Sequence, residues 1–358
     1  MQRMNELGFY TLAGAPKSPR DLVDEVVEAE AMGLGAAFVS ERFNIKEAAT
    51  LCGAAGAVST EIGIATAVTT HNTRHPMVTA AMAMTMHRLT GGRFALGLGR
   101  GIAPLMDMYG LPRIRTAEME DFALLMRRLW RGEMVAGHDG PAGSWPLLMI
   151  GSEYVESIPL LLSAFVPASL RLGGRAFDAV VLHTFFSDET TARCVATIRA
   201  AAEEAGRDPA SVRIWSCFAT VGDYLPEPLR LKKTVGRIAT YLQGYGDLLV
   251  RTNGWDPAVL ERFRADAVVG SMAGAIDQLA TDEQLEHIAG LIPDEWLAAS
   301  ATGTAERCVE AIEGQFGLGC DGVILHGATP GELAPVVDAY RARRPAGRFD
   351  HLATNPAA

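Results

Sequence analysis

Continuous apolar runs, each followed by a stretch with helical spacing, recur along this chain and limit the folds open to it. Residues 7–12 form the first run, and Ser18-Pro19-Arg20-Asp21 then opens a helix. Ser18 is placed to cap it, Pro19 suits the first helical position, and Asp21 suits the positive end of the helix dipole. Leu22, Val26, Ala29 and Met32 share one face, and Gly33 ends the helix. Strands follow at 36–40, 62–70 and 93–98, with helices over 46–60, 76–89 and from Thr116 onward. Strands that are apolar throughout are buried on both faces, as in a parallel sheet covered by helices.

The second half repeats the pattern, with strands at 158–164, 178–183, 212–221 and 322–326 and helices at 167–172, 188–205, 304–316 and 331–343. Eight strand–helix pairs favour an α/β fold of the closed (β/α)8 (TIM) barrel type over an open sheet. A single barrel domain is expected over 1–345. Two stretches stand outside the count: a Gly/Pro-rich connection at 132–157 and a helical insertion at 224–301, between strand seven and its helix. Loops leaving barrel strands open at the catalytic face, so the insertion reads as a lid or, equally, a dimer surface. Residues 346–358 read as a flexible tail.

Charge and cysteine usage exclude several classes. With 32 basic and 42 acidic residues, the net charge of −10 leaves no electrostatic footprint for nucleic acid or an anionic membrane. The five cysteines are scattered without a CxxC pair, against a disulfide framework or structural zinc. No apolar stretch has membrane-spanning length, and residues 1–10 lack the core of a signal peptide, so a soluble cytoplasmic protein is expected.

The segment Leu89-Thr90-Gly91-Gly92-Arg93-Phe94-Ala95-Leu96-Gly97-Leu98-Gly99 resembles a signature of the bacterial luciferase-like monooxygenases and their deazaflavin-dependent relatives. Residues 62–68 with Arg74-His75-Pro76, and 302–307 with 321–327, are similar to that family's third strand, closing helix and eighth strand. The resemblance implies an oxidoreductase barrel with coenzyme F420 or FMN at its C-terminal end, acting on a small-molecule substrate. It also implies a non-proline cis peptide behind the cofactor ring, at Ala67–Val68 by motif position. The Ala/Arg/Gly-rich composition resembles that of proteins from organisms that make the deazaflavin, and on that resemblance F420 is the cofactor expected. The alternatives are an FMN-dependent monooxygenase served by a flavin reductase, and a catalytically inert flavin-binding protein. Relatives are often dimers, so a homodimer is open.

Candidate site residues follow. Gly99-Arg100-Gly101 leaves strand four with glycines and a cation suited to phosphate. Ala164-Phe165-Val166 leaves strand five where relatives often have Gly-Gly-Pro, and the Phe165 and Val166 side chains would crowd a phosphate there. Glu41, after strand two, stands where sugar-phosphate dehydrogenases of the family have an aspartate and would bind a cofactor hydroxyl. Arg42 replaces their histidine and reads as an anchor for an anionic substrate or cofactor group, or as an ion pair at the barrel mouth. Ile102 stands where they carry a glutamate, which argues against the glucose-6-phosphate reaction. His71 reads as a proton donor or substrate ligand, or as a solvated loop residue. His183, ending strand six, faces the site as a substrate contact, whereas His326 reads as structural. No metal is expected: Pro76 makes His75 a helix-start residue, and no carboxylate cluster accompanies His71. Arg230, Lys232, Lys233 and Arg237 read either as a holder for the coenzyme's polyglutamate tail or as a solvated helix face.

Overall fold

The computed structural model describes residues 2–14, 16–43 and 46–358. Eight parallel strands close on themselves: β1 (Met4–Tyr10), β2 (Leu34–Val39), β3 (Gly63–Thr66), β4 (Phe94–Leu98), β5 (Leu160–Ser163), β6 (Ala179–Val181), β7 (Arg213–Gly222) and β8 (Gly322–His326). Each pairs with the next, β8 with β1, and β6–β7 completes the ring, so the barrel has no free edge. The outer ring is α1 (Asp21–Ala31), α2 (Ala48–Val58), α3 (Pro76–Leu89), α4 (Thr116–Trp130), α5 (Pro167–Ala176), α6 (Asp188–Glu204), α7 (Ala305–Gly317) and α8 (Pro330–Arg343). β2, β4 and β7 are buried along their whole length, as apolar runs under helices require. Inside the barrel Phe38 packs edge-on to Trp215 with ring centroids 5.0 Å apart, among Ala36, Ala65, Leu161 and Ile324.

The expected helix over 76–89 is observed with those bounds, and its start is explained locally: Pro76 occupies the first turn, and the His75 side chain accepts a hydrogen bond from the Met77 amide. α1 begins later than Ser18 suggests. Ser18 Oγ accepts from Arg20 N, Asp21 Oδ2 accepts from Ser18 N, and the helix starts at Asp21.

Three regions add to the sequence reading or correct it. The Gly/Pro-rich connection holds an antiparallel hairpin, Val135–Gly140 with Gly143–Leu148, pinned to α4 by Asp121, which accepts from Ala142 N at 2.9 Å. The insertion is helical, its longest element being Arg237–Asn253, and it has its own apolar centre where Trp255 stacks on Trp296 at 4.4 Å. The tail, expected to be flexible, is packed. The Arg213 guanidinium donates to the carbonyls of Ala353 (3.0 Å) and Asn355 (2.9 Å), and Trp215 Nε1 donates to Pro356 O at 2.7 Å. Asn355 Nδ2 in turn donates to Gly92 O and Phe94 O. These partners begin β4 and β7, so the tail closes the N-terminal end of the barrel and satisfies a buried charge there.

Candidate active site

A cavity of about 650 Å³ opens at the C-terminal ends of the strands, the end at which barrel active sites are built. Its floor is small: Ala67 and Val68 after β3, joined by a cis peptide bond, and Gly99 after β4. The glycines are required by close approach. A Cβ on Gly97 would lie 1.8 Å from Thr66 O, and one on Gly99 would lie 2.2 Å from Val68 Cγ2.

Arg42, Lys46, Arg100, Arg113 and Arg237 all line this cavity, and although Asp107 pairs with Arg113 and Asp277 with Arg237 from behind, no carboxylate is among its described lining residues. In a chain of net charge −10 that is a local inversion of sign. Among the described residues, the amides of Arg100, Gly101 and Ile102 donate to no other group, and Gly101 has φ +68°, so this turn leaves N–H groups beside the Arg100 cation.

On the opposite wall stands an aromatic and imidazole cluster. His183 Nδ1 lies 2.8 Å from Thr184 O, which can only accept, so Nδ1 carries the proton. His183 Nε2 therefore accepts from the Tyr245 hydroxyl at 2.9 Å. Burial pushes the His183 imidazole down to about 4, so it is neutral at physiological pH, and burial, reinforced by Tyr241, raises Tyr245 well above the usual phenol range. Tyr241 stacks on Tyr245 at 5.4 Å, and its hydroxyl lies 3.5 Å from His326 Nε2. His326 Nδ1 is buried and has no partner among the described residues.

Of the residues singled out from sequence, Ala67, Val68, Gly99, Arg100, Gly101, Phe165, Val166, Arg42 and His183 line this one cavity. Ala164 lies behind it, its amide donating to Val181 O. Glu41 and His71 do not line it. The Glu41 carboxylate binds the Arg74 guanidinium and accepts from Thr69 Oγ1 at 2.6 Å, tying the loop after β3 to the start of α2. The His71 ring is buried against Phe122, stacked at 4.7 Å, and burial pushes it down to about 4. A phosphate site after β5 is also unsupported. The Phe165 and Val166 amides both donate to Ser169 Oγ at 3.1 Å, and the Phe165 ring leans on His183 instead.

The basic cluster of the insertion divides. Lys233 Nζ is taken by Gly327 O (2.8 Å) and Glu332 (3.0 Å), while Arg237 turns to the cavity. Sequence reasoning missed Tyr10, Lys46, Tyr241 and Tyr245, and took His326 as structural although it lines the cavity. The only signal for the two insertion tyrosines is their four-residue spacing on one helix face.

Among the described residues no group of His, Cys, Asp or Glu is arranged to hold a metal ion, and no helix is long and apolar enough to cross a membrane.

A closed (β/α)8 barrel with a cation-lined cavity at its C-terminal mouth defines the chain as a barrel built around a small-molecule site. The chain belongs to the luciferase-like monooxygenase family, whose model matches residues 5–322. It is similar to the 5,10-methylenetetrahydromethanopterin reductase of Methanolobus tindarius, 23% identical over 304 residues, covering 83% of this chain and 86% of the relative. Among solved structures, the coenzyme F420-dependent tetrahydromethanopterin reductase from Methanopyrus kandleri shares the fold with a TM-score of 0.77 at 19% identity, over 94% of this chain and 99% of that one. An F420-dependent secondary alcohol dehydrogenase in complex with an F420–acetone adduct does so with a TM-score of 0.70 at 18% identity, over 96% of this chain and 100% of that one.

Proposed function

We propose that this chain is an F420-dependent oxidoreductase that transfers hydride between the deazaflavin and a small organic substrate. The observation that carries this reading is the cavity itself: about 650 Å³, lined by five cations and no described carboxylate. A cofactor bearing a phosphate and a polyglutamate tail suits that charge pattern. Membership of the family supports the reading, as does the F420 dependence of two barrels that share its fold.

The donors present fit such a group. Ala67, Val68 and Gly99 would leave room for a planar ring, and Arg100 with the amides of residues 100–102 would take its phosphate. When bound, the deazaflavin supplies the hydride chemistry, and the chain supplies orientation and exclusion of water. The Tyr245 hydroxyl, its proton given to His183, would accept a hydrogen bond from a hydroxyl of the substrate. At neutral pH the imidazole accepts and the phenol keeps its proton, so the pair orients by hydrogen bonding and carries no charge. Tyr241, Tyr245 and Leu248 come from the insertion, which would thus act as the substrate-selecting wall. A soluble cytoplasmic enzyme is the setting that fits this reading, with a homodimer left open.

Titration of the purified chain with F420 and with FMN, followed by quenching of the cofactor's fluorescence, tests it. Binding of F420 in the micromolar range or tighter is expected, whereas tight FMN binding without F420 binding would overturn it in favour of the FMN monooxygenase reading. Turnover of bound reduced cofactor with any member of a carbonyl substrate panel would exclude an inert binding protein.

A further inference from the structure

Three of the cavity's basic side chains contribute to its charge but are matched to no particular group of the cofactor, and they stand together on the wall formed after β2 and by the insertion. Arg42 and Lys46 bond to each other through their backbones in both directions, Arg42 N to Lys46 O at 2.9 Å and Lys46 N to Arg42 O at 3.1 Å. Arg237 enters from the first turn of the helix Arg237–Asn253. Lys46 and Arg237 are 5% and 6% exposed, and all three side chains line the cavity.

The fold compensates this charge only in part. Asp277 lies 2.8 Å from one terminal nitrogen of Arg237, and a guanidinium has five N–H donors. Glu25 reaches Lys46 only through Leu12: Lys46 Nζ donates to Leu12 O, and Leu12 N donates to Glu25 Oε2 at 2.6 Å. Burial pushes Glu25 up to about 7, so at neutral pH it is not a full negative charge. Burial, and after it the Arg42 charge, pushes Lys46 down to about 7, so its amine is likewise only partly charged at neutral pH and an anion bound beside it would draw the proton onto it. The remaining titratable groups on this side, Tyr10, Tyr241 and His326, are neutral: burial raises both phenols and depresses the imidazole. Three basic side chains facing one open space with a single buried carboxylate, Asp277, paired to one of them leave N–H donors to be completed by a ligand.

We propose that Arg42, Lys46 and Arg237 form a subsite for an anionic group of the substrate, a carboxylate or a phosphate, which makes the substrate an organic anion. Calling that group the substrate's rests on the oxidoreductase reading above; the anion site itself does not. The same chemistry could be met by the cofactor's own phosphate or tail carboxylates, and the experiment separates the two sources.

F420-loaded protein is titrated calorimetrically with inorganic phosphate, in the wild type and in Lys46→Met and Arg42→Gln, with F420 affinity measured separately in each by fluorescence quenching. The expected result is that phosphate binds the loaded wild type, that each substitution weakens it at least tenfold, and that F420 affinity changes less than twofold. Thermal melting of both variants checks that they fold, and Arg42, being exposed, serves if Lys46→Met does not. The proposal is overturned if phosphate fails to bind the loaded protein, if both variants bind it as the wild type does, or if phosphate competes with F420 and the substitutions cost F420 affinity tenfold. The last result would give the wall to the cofactor. Should the wild type bind no F420, the functional reading fails; phosphate titration of the chain alone then decides the anion site, which stands if Lys46→Met or Arg42→Gln weakens binding tenfold and falls if neither does.

Discussion

The Tyr245 hydroxyl donates to His183 Nε2 across 2.9 Å, bridging the longest helix of the insertion to the end of barrel strand β6. The backbone at Tyr245 makes this reach by leaving helical geometry, with φ −156° and ψ 37° inside an otherwise helical run. If the pair orients the substrate, Tyr245→Phe keeps the ring stacked on Tyr241 and removes only the hydroxyl, which donates to His183 and would accept from the substrate. Turnover with the best substrate of a carbonyl panel is expected to drop roughly tenfold to a hundredfold while F420 affinity stays unchanged. Steady-state kinetics alongside the quenching titration checks this, and an equal loss in both would move Tyr245 to cofactor binding.

His71 and His183 are both pushed by burial from the ordinary 6.5 down to about 4. Between those values the unfolded chain binds protons that the folded one refuses. Stability is therefore full above about pH 6.5 and declines as the pH falls toward 4, at up to about 1.4 kcal/mol per pH unit for each group. His71 isolates the effect because it lies outside the cavity, stacked on Phe122 with its Nδ1 buried and without a partner among the described residues. His71→Phe is expected to match or exceed the wild type at neutral pH and to lose stability less steeply in acid. Urea midpoints at about pH 5 and about pH 7 measure the two slopes, and identical slopes would rule the account out.

The barrel was legible because its signal is local. Apolar runs such as 93–98 and 322–326 read as buried parallel strands without any knowledge of what covers them, and Pro76 and Thr90-Gly91-Gly92 punctuate α3 at both ends. The cavity floor was legible through the family resemblance, which by motif position picked out Ala67 and Val68, and through the glycines leaving β4; these residues line the cavity. The site was illegible where side-chain direction decides. Glu41 and Arg42 are adjacent, yet one turns back to Arg74 and the other into the cavity. Lys46, Tyr241 and Tyr245 enter through loop and helix geometry that no strand pattern announces. The tail was misread for the same reason, since its partners Arg213 and Trp215 lie some 140 residues away.

That tail makes a separable prediction. Arg213 is 5% exposed, and its acceptors are the carbonyls of Ala353 and Asn355 together with Asn5 O. Deleting residues 353–358 removes most of those acceptors and leaves Trp215 Nε1 without one. A loss of roughly 3–5 kcal/mol is expected by urea denaturation, the cost of stranding a buried charge. Adding Arg213→Met to the truncated chain should recover part of it, because the stranded charge is then gone. No recovery would mean that the tail acts through apolar cover alone.

Gly99 tests the cavity floor without touching a charge. A Cβ there would lie 2.2 Å from Val68 Cγ2, far inside contact distance, and Val68 has Ala67 and the cavity on its other sides. The backbone of this segment is fixed by Gly99 N to Thr69 O at 2.9 Å and Thr69 N to Gly97 O at 3.0 Å, so the valine must move instead. The direction open to it is into the cavity, where a cofactor ring is expected to lie. Gly99→Ala should therefore cost at least tenfold in F420 affinity with only a modest fall in melting temperature. Gly97→Ala, whose Cβ would meet the Thr66 carbonyl at 1.8 Å between two paired strands, should instead fail to fold. Quenching titrations and thermal melts of the two variants give opposite patterns if the floor binds the cofactor. F420 affinity untouched in Gly99→Ala would place the cofactor elsewhere in the cavity.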